Sequence, residues 1–214
     1  MELENKTIIV TGASSGIGAA AARLFSREGA NVVLGARRSA ELAAVTDEIR
    51  RGGANAVFLA GDVKDASYAE ALVDLATREF GGLDGAFNNA GMVGDMIAAP
   101  EMPLANWSEV ISVNLTSAFL AAKAQIPALK LRGSGSMVFT SSFVGLSNGG
   151  LPGMAAYAAS KAELNGLVQS LAADHAAEDI RINAVLPGGT ITPMGGESDP
   201  SVLEFVSGLH PMKR

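Results

Sequence analysis

No cysteine occurs in this sequence, which excludes a disulfide framework, a thiol nucleophile and a cysteine-ligated metal, and leaves the redox compartment unreadable from cysteine usage. Charge is also scarce: 18% of residues are Asp, Glu, Lys or Arg, the net charge is -6, and no run of Lys and Arg is present. Phosphate-backbone binding needs concentrated cations, so a nucleic-acid partner is disfavoured. Only two histidines occur, His175 a full helix beyond Lys161 and His210 near the end of the sequence, and both are expected to be exposed or merely structural. With no His-Glu-x-x-His or comparable cluster, no catalytic metal is expected. The segment Met1 to Lys6 is acidic and polar, unlike a signal peptide. No stretch reaches the roughly 18 apolar residues of a membrane span, so the expectation is a cytoplasmic protein.

What is present is apolar and alternating. Hydrophobic residues make up 48% of 214 positions, enough for one α/β domain spanning 1–214 with a sizeable core. Strand-length apolar runs recur at Thr7 to Val10, Val32 to Leu34, Val57 to Leu59, Ala86 to Phe87, Met137 to Phe139 and Ile182 to Leu186. They are near-continuously apolar, as parallel strands covered on both faces require. Between them lie segments with apolar positions three and four apart: Gly16 to Glu28, Ala40 to Arg51, Ala66 to Phe80, Leu115 to Arg132 and Ala155 to Ala177. Strict alternation predicts right-handed βαβ crossovers and a doubly wound, Rossmann-like parallel sheet. Ligands bind at the carboxyl edge of such sheets, so the Gly- and Pro-rich loops Gly145 to Gly153 and Pro187 to Gly196 are candidate walls of a site.

The first strand runs into Thr11-Gly12-Ala13-Ser14-Ser15-Gly16-Ile17-Gly18, and a helix follows. Glycines permit a tight turn and close approach to a pyrophosphate, and the helix N-terminus offers unpaired N–H groups and a positive dipole end. A glycine turn by itself is as readily structural as functional. Tyr157 and Lys161, four apart in a helical segment, project from one face. Unperturbed, they titrate near ~10 and ~10.4, too high for a base at neutral pH. A neighbouring ammonium favours the phenolate, and roughly 3 to 4 kcal/mol, the scale of a charge pair at ~4 Å in an effective dielectric near 20, would lower the phenol by two to three units. Alone, the pair also reads as a Tyr packed on a Lys stem.

The Gly-x-x-x-Gly-x-Gly spacing resembles that of the short-chain dehydrogenase/reductase family, and further segments match the family in order over nearly the whole chain. These are Asp62 and Val63 after the third strand, Asn88-Asn89-Ala90-Gly91, Tyr157-x-x-x-Lys161, and Pro187-Gly188 with Thr192. The resemblance implies an oxidoreductase that moves a hydride between NADP(H) or NAD(H) and a carbonyl or secondary alcohol, with Tyr157 as acid/base. It implies a tetrad of Asn114, Ser142, Tyr157 and Lys161. Ser142 would hold the substrate oxygen, with Ser141 as the weaker alternative because Ser142 precedes Tyr157 by fifteen residues, two more than the family's commonest spacing. The surplus falls in Ser147 to Gly150. Asn114 would support a proton relay to Lys161; an asparagine there also reads as a helix breaker or cap. Cofactor contacts are implied for Gly12, Ser14, Ser15, Gly16, Ile17, Gly18, Arg37, Asp62, Val63, Asn89, Ala90, Gly91, Tyr157, Lys161, Pro187, Gly188, Thr190 and Thr192.

Ala36 stands where an NAD-preferring member carries a carboxylate, and Arg37 follows with a guanidinium suited to a 2′-phosphate, so NADP is the preferred cofactor, with NAD also open. Against this, a second basic residue often found in the glycine turn is missing, since Ser14 and Ser15 stand there. Substrate-lining segments Met92 to Pro103 and Thr190 to Leu209 carry Met92, Met96, Ile97, Met194, Leu203 and Phe205, which favours a hydrophobic or medium-sized carbonyl compound. A homodimer or homotetramer is implied through helices Leu115 to Arg132 and Ala155 to Ala177, whose Ala121, Ala122, Ala158, Ala159, Ala172 and Ala173 allow close approach. The family pattern continues past Leu209 to Arg214 with a further helix and a seventh strand; either a tail is omitted from this sequence or the form is a short one, and without that strand the sixth-strand edge is expected to be exposed or paired elsewhere. Two other classes stay open: a non-catalytic dinucleotide-binding scaffold or sensor, which the intact Tyr157 and Lys161 argue against, and epimerase or dehydratase chemistry, which chain length argues against.

Overall fold

The computed structural model describes residues 1–147, 151–195, 200–209 and 212. Six parallel strands form one sheet: β1 (Thr7–Thr11), β2 (Asn31–Ala36), β3 (Ala56–Ala60), β4 (Gly85–Asn88), β5 (Gly135–Thr140) and β6 (Ile180–Val185), in the order β3-β2-β1-β4-β5-β6. The helices between them are α1 (Gly16–Arg27), α2 (Ser39–Arg51), α3 (Ala66–Phe80), α4 (Leu104–Ile111), α5 (Ser117–Arg132) and α6 (Ala155–His175), with α7 (Pro200–Leu209) following β6. The expected doubly wound Rossmann-like sheet is therefore present, and the strand order reverses between β1 and β4.

Side-chain alternation along the strands sorts the core into two layers. Ile9 and Val33 point to the side of α3, α5 and α6, where they meet Leu72, Leu129, Phe139 and Leu164. Ile8, Val10, Val32 and Leu34 point the other way, against α1 and α2. Each Leu, Ile or Phe buried in this way contributes about 1.5–3 kcal/mol. β6 pairs only with β5 and ends the described sheet. Its Ile180 and Ile182 are buried while Arg181 and Asn183 are exposed. That alternation explains why an apolar-run reading starts the strand two residues late.

Three local readings change. Helix α4 was not expected; it is only eight residues long, and although Leu104, Trp107 and Ile111 keep helical spacing, Leu104 is 76% and Trp107 37% exposed and only Val110 is buried. Between α4 and α5 the chain stays helical through a π turn, Ser112–Thr116. Asn114 thus sits inside a continuous helical stretch and neither breaks nor caps it. Ala121 and Ala122 are buried in the chain's own fold, Ala122 in the layer under α5, so they are not part of the close-approach face expected for a partner. The side chains of Leu203 and Phe205, and His210 as a whole, lie outside the described residues, as do 148–150. Among the described residues no helix is long and apolar enough to cross a membrane.

Candidate active site

The site begins at the carboxyl end of β1. Gly12 has φ 67°, and a Cβ there would stand 2.9 Å from the Asn89 amide nitrogen. A Cβ on Gly18 would overlap the Gly12 carbonyl. Both positions therefore need glycine, the first for backbone conformation and the second so that α1 can start against the turn. Ser15 is the N-cap of α1 in extended conformation, makes no side-chain cap bond, and no acidic residue occupies the first turn. The first N–H groups and the positive dipole end of α1 are directed into the turn, the chemistry that holds a pyrophosphate.

Asparagines fix the neighbouring strand ends. The Asn89 and Ala90 N–H groups donate to the Thr11 hydroxyl (3.0 and 3.2 Å), the Asn89 amide donates to the Thr11 carbonyl (3.3 Å), and Thr140 donates to the Asn89 Oδ1 (3.1 Å). One side chain thus ties β1, β4 and β5 together at the point where strand order reverses. Asn114, 2% exposed, accepts from the Met92 N–H (2.8 Å) and donates to the Met92 carbonyl (2.9 Å) and the Ser160 hydroxyl (3.0 Å). The π turn aims this amide inward, as such turns commonly do at functional sites. A Cβ on Gly91 would lie 3.2 Å from Asn114 Oδ1 and 3.4 Å from Lys161 Nζ, so only glycine leaves the space between them open.

Tyr157 and Lys161 share one face of α6, with the ammonium 5.7 Å from the phenol ring centroid. Lys161 is 3% exposed and donates to the Thr140 carbonyl (2.7 Å). Burial draws its pKa down to about 8. Burial pushes the Tyr157 phenol above its ordinary value, and a hydrogen bond with Ser142 works in the opposite direction. The lowering of the phenol by Lys161 expected from the four-residue spacing is absent from this balance. The cost of burying a phenolate exceeds the opposing hydrogen bond. Of the two serines, Ser142 is the one bonded to Tyr157, and its hydroxyl also accepts from the Val144 N–H (3.3 Å). The Ser141 hydroxyl donates to the Lys161 carbonyl (2.9 Å).

A cavity of about 470 Å³ joins these parts. Gly12, Ser14, Ser15, Gly16, Ile17, Arg37, Asp62 and Val63 line one end; Asn89, Ala90 and Gly91 the middle; Ser142, Tyr157, Lys161, Pro187, Gly188, Thr190 and Thr192 the other. Of the expected site residues, Gly18 and Asn114 are off this lining. Gly18 serves the packing of the turn, and Asn114 borders a separate inner cavity of about 20 Å³ with Thr11, Ser117 and Gln125. The glycine cradle, the open helix end and the cavity fit a dinucleotide.

Sequence reading missed two features at the first end. Arg38 donates to the Ser14 hydroxyl (3.0 Å) and the Ser15 hydroxyl (2.7 Å), so its guanidinium lies across the turn while Arg37 is exposed beside it. The Arg37-Arg38 pair was the available signal, but the direction of Arg38 was not. Lys64 joins Asp62 (3.6 Å) to Glu109 of α4 (2.8 Å). Nothing in the sequence points to that contact across 45 positions.

An open parallel sheet with a glycine turn at its switch point and a Tyr–Lys–Ser cluster along the same edge defines a dinucleotide-fold oxidoreductase site. The model of the short chain dehydrogenase family matches residues 6–202, and the chain belongs to that family. It is similar to the 2,5-dichloro-2,5-cyclohexadiene-1,4-diol dehydrogenase LinX of Sphingobium indicum, 35% identical over 98% of this chain and 83% of the relative. It is also similar to the cis-4-hydroxycyclohexanecarboxylate dehydrogenase of Sinomonas cyclohexanicum, 36% identical over 98% of this chain and 83% of that one. Among solved structures, that of levodione reductase superposes with a TM-score of 0.92 at 32% identity, covering 99% of this chain and 85% of the other.

Proposed function

We propose that the chain interconverts a secondary alcohol and a ketone on a six-membered ring, using NADP(H) in preference to NAD(H), with Tyr157 as acid/base. The observation that carries this reading is the single cavity with Tyr157, Ser142 and Lys161 at one end and the Gly12–Gly16 turn at the other. The relatives named for cyclic alcohols support the substrate class.

The Gly12–Gly16 turn, Asn89 to Gly91 and Pro187 to Thr192 would hold a nicotinamide dinucleotide, which would supply or accept the hydride; the remaining tasks fall to the chain. A phenol held above its ordinary pKa stays protonated at neutral pH, so the Tyr157 hydroxyl is a proton donor to a ketone oxygen in reduction. In oxidation the same oxygen must first lose its proton, so that direction gains with rising pH. Ser142 holds the substrate oxygen against the phenol and shares the charge that develops on it. Lys161 holds a proton behind Tyr157, and Asn114 fixes Met92 and Ser160 around the space beside it. The family's usual assembly and the exposed Phe119 of α5 support a homodimer or homotetramer through α5 and α6, and a cytoplasmic location suits an enzyme drawing on the nicotinamide pool.

The test is a panel of cyclic alcohols and ketones followed at the nicotinamide absorbance with both cofactors. A dinucleotide-binding scaffold would bind cofactor and turn over none of them. Cofactor preference has its own test. Arg38, lying across Ser14 and Ser15, supplies from the β2–α2 connection the cation that the turn itself lacks, and with Arg37 it forms a two-guanidinium cradle for a 2′-phosphate. Ala36→Asp combined with Arg37→Ser and Arg38→Ser is expected to shift the ratio of kcat/KM for NADP over NAD by at least ~100-fold toward NAD, by adding repulsion and removing attraction. A wild-type enzyme that already favours NAD would refute the cradle.

A further inference from the structure

This inference rests on the proposed function and names the charge state of its substrate. Every Lys, Arg and His of the chain lies outside three segments, 85–122, 133–160 and 182–209. Those segments supply the substrate end of the cavity: Met92 and Val93 from the first, Ser142, Leu151 and Met154 from the second, Thr190 and Met194 from the third. The first segment brings only acidic charge, Asp95 and Glu101 among it.

Among the described residues, three cations line the cavity at all: Arg37, Arg38 and Lys161. Arg38 is bonded to Ser14 and Ser15 and paired with Glu41 at 3.5 Å. It and Arg37 follow β2, three strands from Ser142 after β5, roughly 14 Å at ~4.8 Å per strand. Lys161 is buried behind Tyr157 with its Nζ on the Thr140 carbonyl. A ring carboxylate entering the substrate end meets, among the described residues, no cation placed to receive it, so the hydration it gives up on entry is not repaid by an ion pair.

We infer that this site takes an uncharged alicyclic alcohol or ketone and rejects the ring that carries a carboxylate. The relatives at equal identity include one named for a carboxylated ring, so identity alone does not separate these substrates; the cation-free described lining of the substrate end does.

The experiment compares cyclohexanol, cis-4-hydroxycyclohexanecarboxylate and the methyl ester of that acid at pH 8 with each oxidised cofactor, alongside a fluorescence titration of cofactor binding. Expected is a kcat/KM for the carboxylate at least 100-fold below that of its methyl ester, with the ester within tenfold of cyclohexanol. The ester separates size from charge. Carboxylate and ester used equally well would overturn the inference. Turnover of none of the three by a protein that binds NADPH would overturn the alicyclic substrate class and leave the cofactor site standing. Failure to bind either cofactor would instead strike the dinucleotide reading beneath it.

Discussion

Tyr157→Phe is expected to lower kcat by about 10²- to 10⁴-fold, the range a positioned acid/base contributes, while the variant melts within a few degrees of wild type and binds cofactor normally. The substitution removes one hydroxyl whose partner, Ser142, keeps its second contact with the Val144 N–H. The aromatic ring stays, and with it the packing of α6 against the substrate end. In the wild type, the raised phenol pKa sets the direction of the pH dependence. Reduction should hold through neutral pH, where the phenol carries its proton, and oxidation should climb as pH rises toward the phenol's own value. Steady-state rates in both directions from pH 6 to 10, beside melting curves, are the check. Turnover within a few-fold of wild type in the variant would remove Tyr157 from the chemistry.

For Lys161→Met, activity and stability are expected to separate. Turnover should fall on the order of 10²-fold as the proton that Lys161 holds behind Tyr157 is lost. Stability follows the opposite logic. Burial lowers the ammonium's pKa from 10.5 to about 8, so the unfolded chain holds this proton more tightly than the folded one. The charge therefore costs stability in full below about pH 8, and the cost fades as pH rises between about 8 and 10.5. The shift corresponds to about 3 kcal/mol at 1.36 kcal/mol per unit. Against it stands the Thr140 carbonyl, which loses its donor in the variant at a cost of about 1–3 kcal/mol. At pH 7 these nearly cancel, and methionine is neutral to mildly stabilising. At pH 10, half a unit below the unfolded value, about 1 kcal/mol of the burial cost is left, so the lost hydrogen bond weighs as much or more and the variant is neutral to less stable. Denaturant unfolding of both proteins at pH 7 and pH 10 should show their stability difference moving by about 2–3 kcal/mol. A difference independent of pH would mean that Lys161 titrates as it does in the unfolded chain.

Much of the fold and the site was legible because the signals are local. A parallel strand buried on both faces must be apolar throughout, and β1 to β5 were found within one or two residues on that ground alone. The helix period located α1, α2, α3 and α6 in the same way. α4 escaped because its eight residues are too few for the spacing of Leu104, Trp107 and Ile111 to stand out as a period. The glycine turn was readable because Gly12 and Gly18 answer steric demands that no other residue meets. The resemblance put Ser142 ahead of Ser141 beside Tyr157, as the structure has it, but the fifteen-residue spacing alone left both open, since spacing counts residues without fixing direction.

By itself, then, the sequence determined the alternation of strand and helix, the turn after β1, the Tyr157–Lys161 pair on one helical face and the absence of a cation from the segments that wall the substrate end. Each depends on residue type and short spacing, which the chain carries whatever its tertiary neighbours are. The tertiary structure alone decided that Arg38 lies on Ser14 and Ser15, that Lys64 ties Asp62 to Glu109, that Asn114 clamps Met92, and that Lys161 is spent on Thr140. It also decided the sign of the phenol's shift. These depend on distances between residues tens of positions apart and on how much water burial removes, and neither quantity exists until the sheet has closed its two layers.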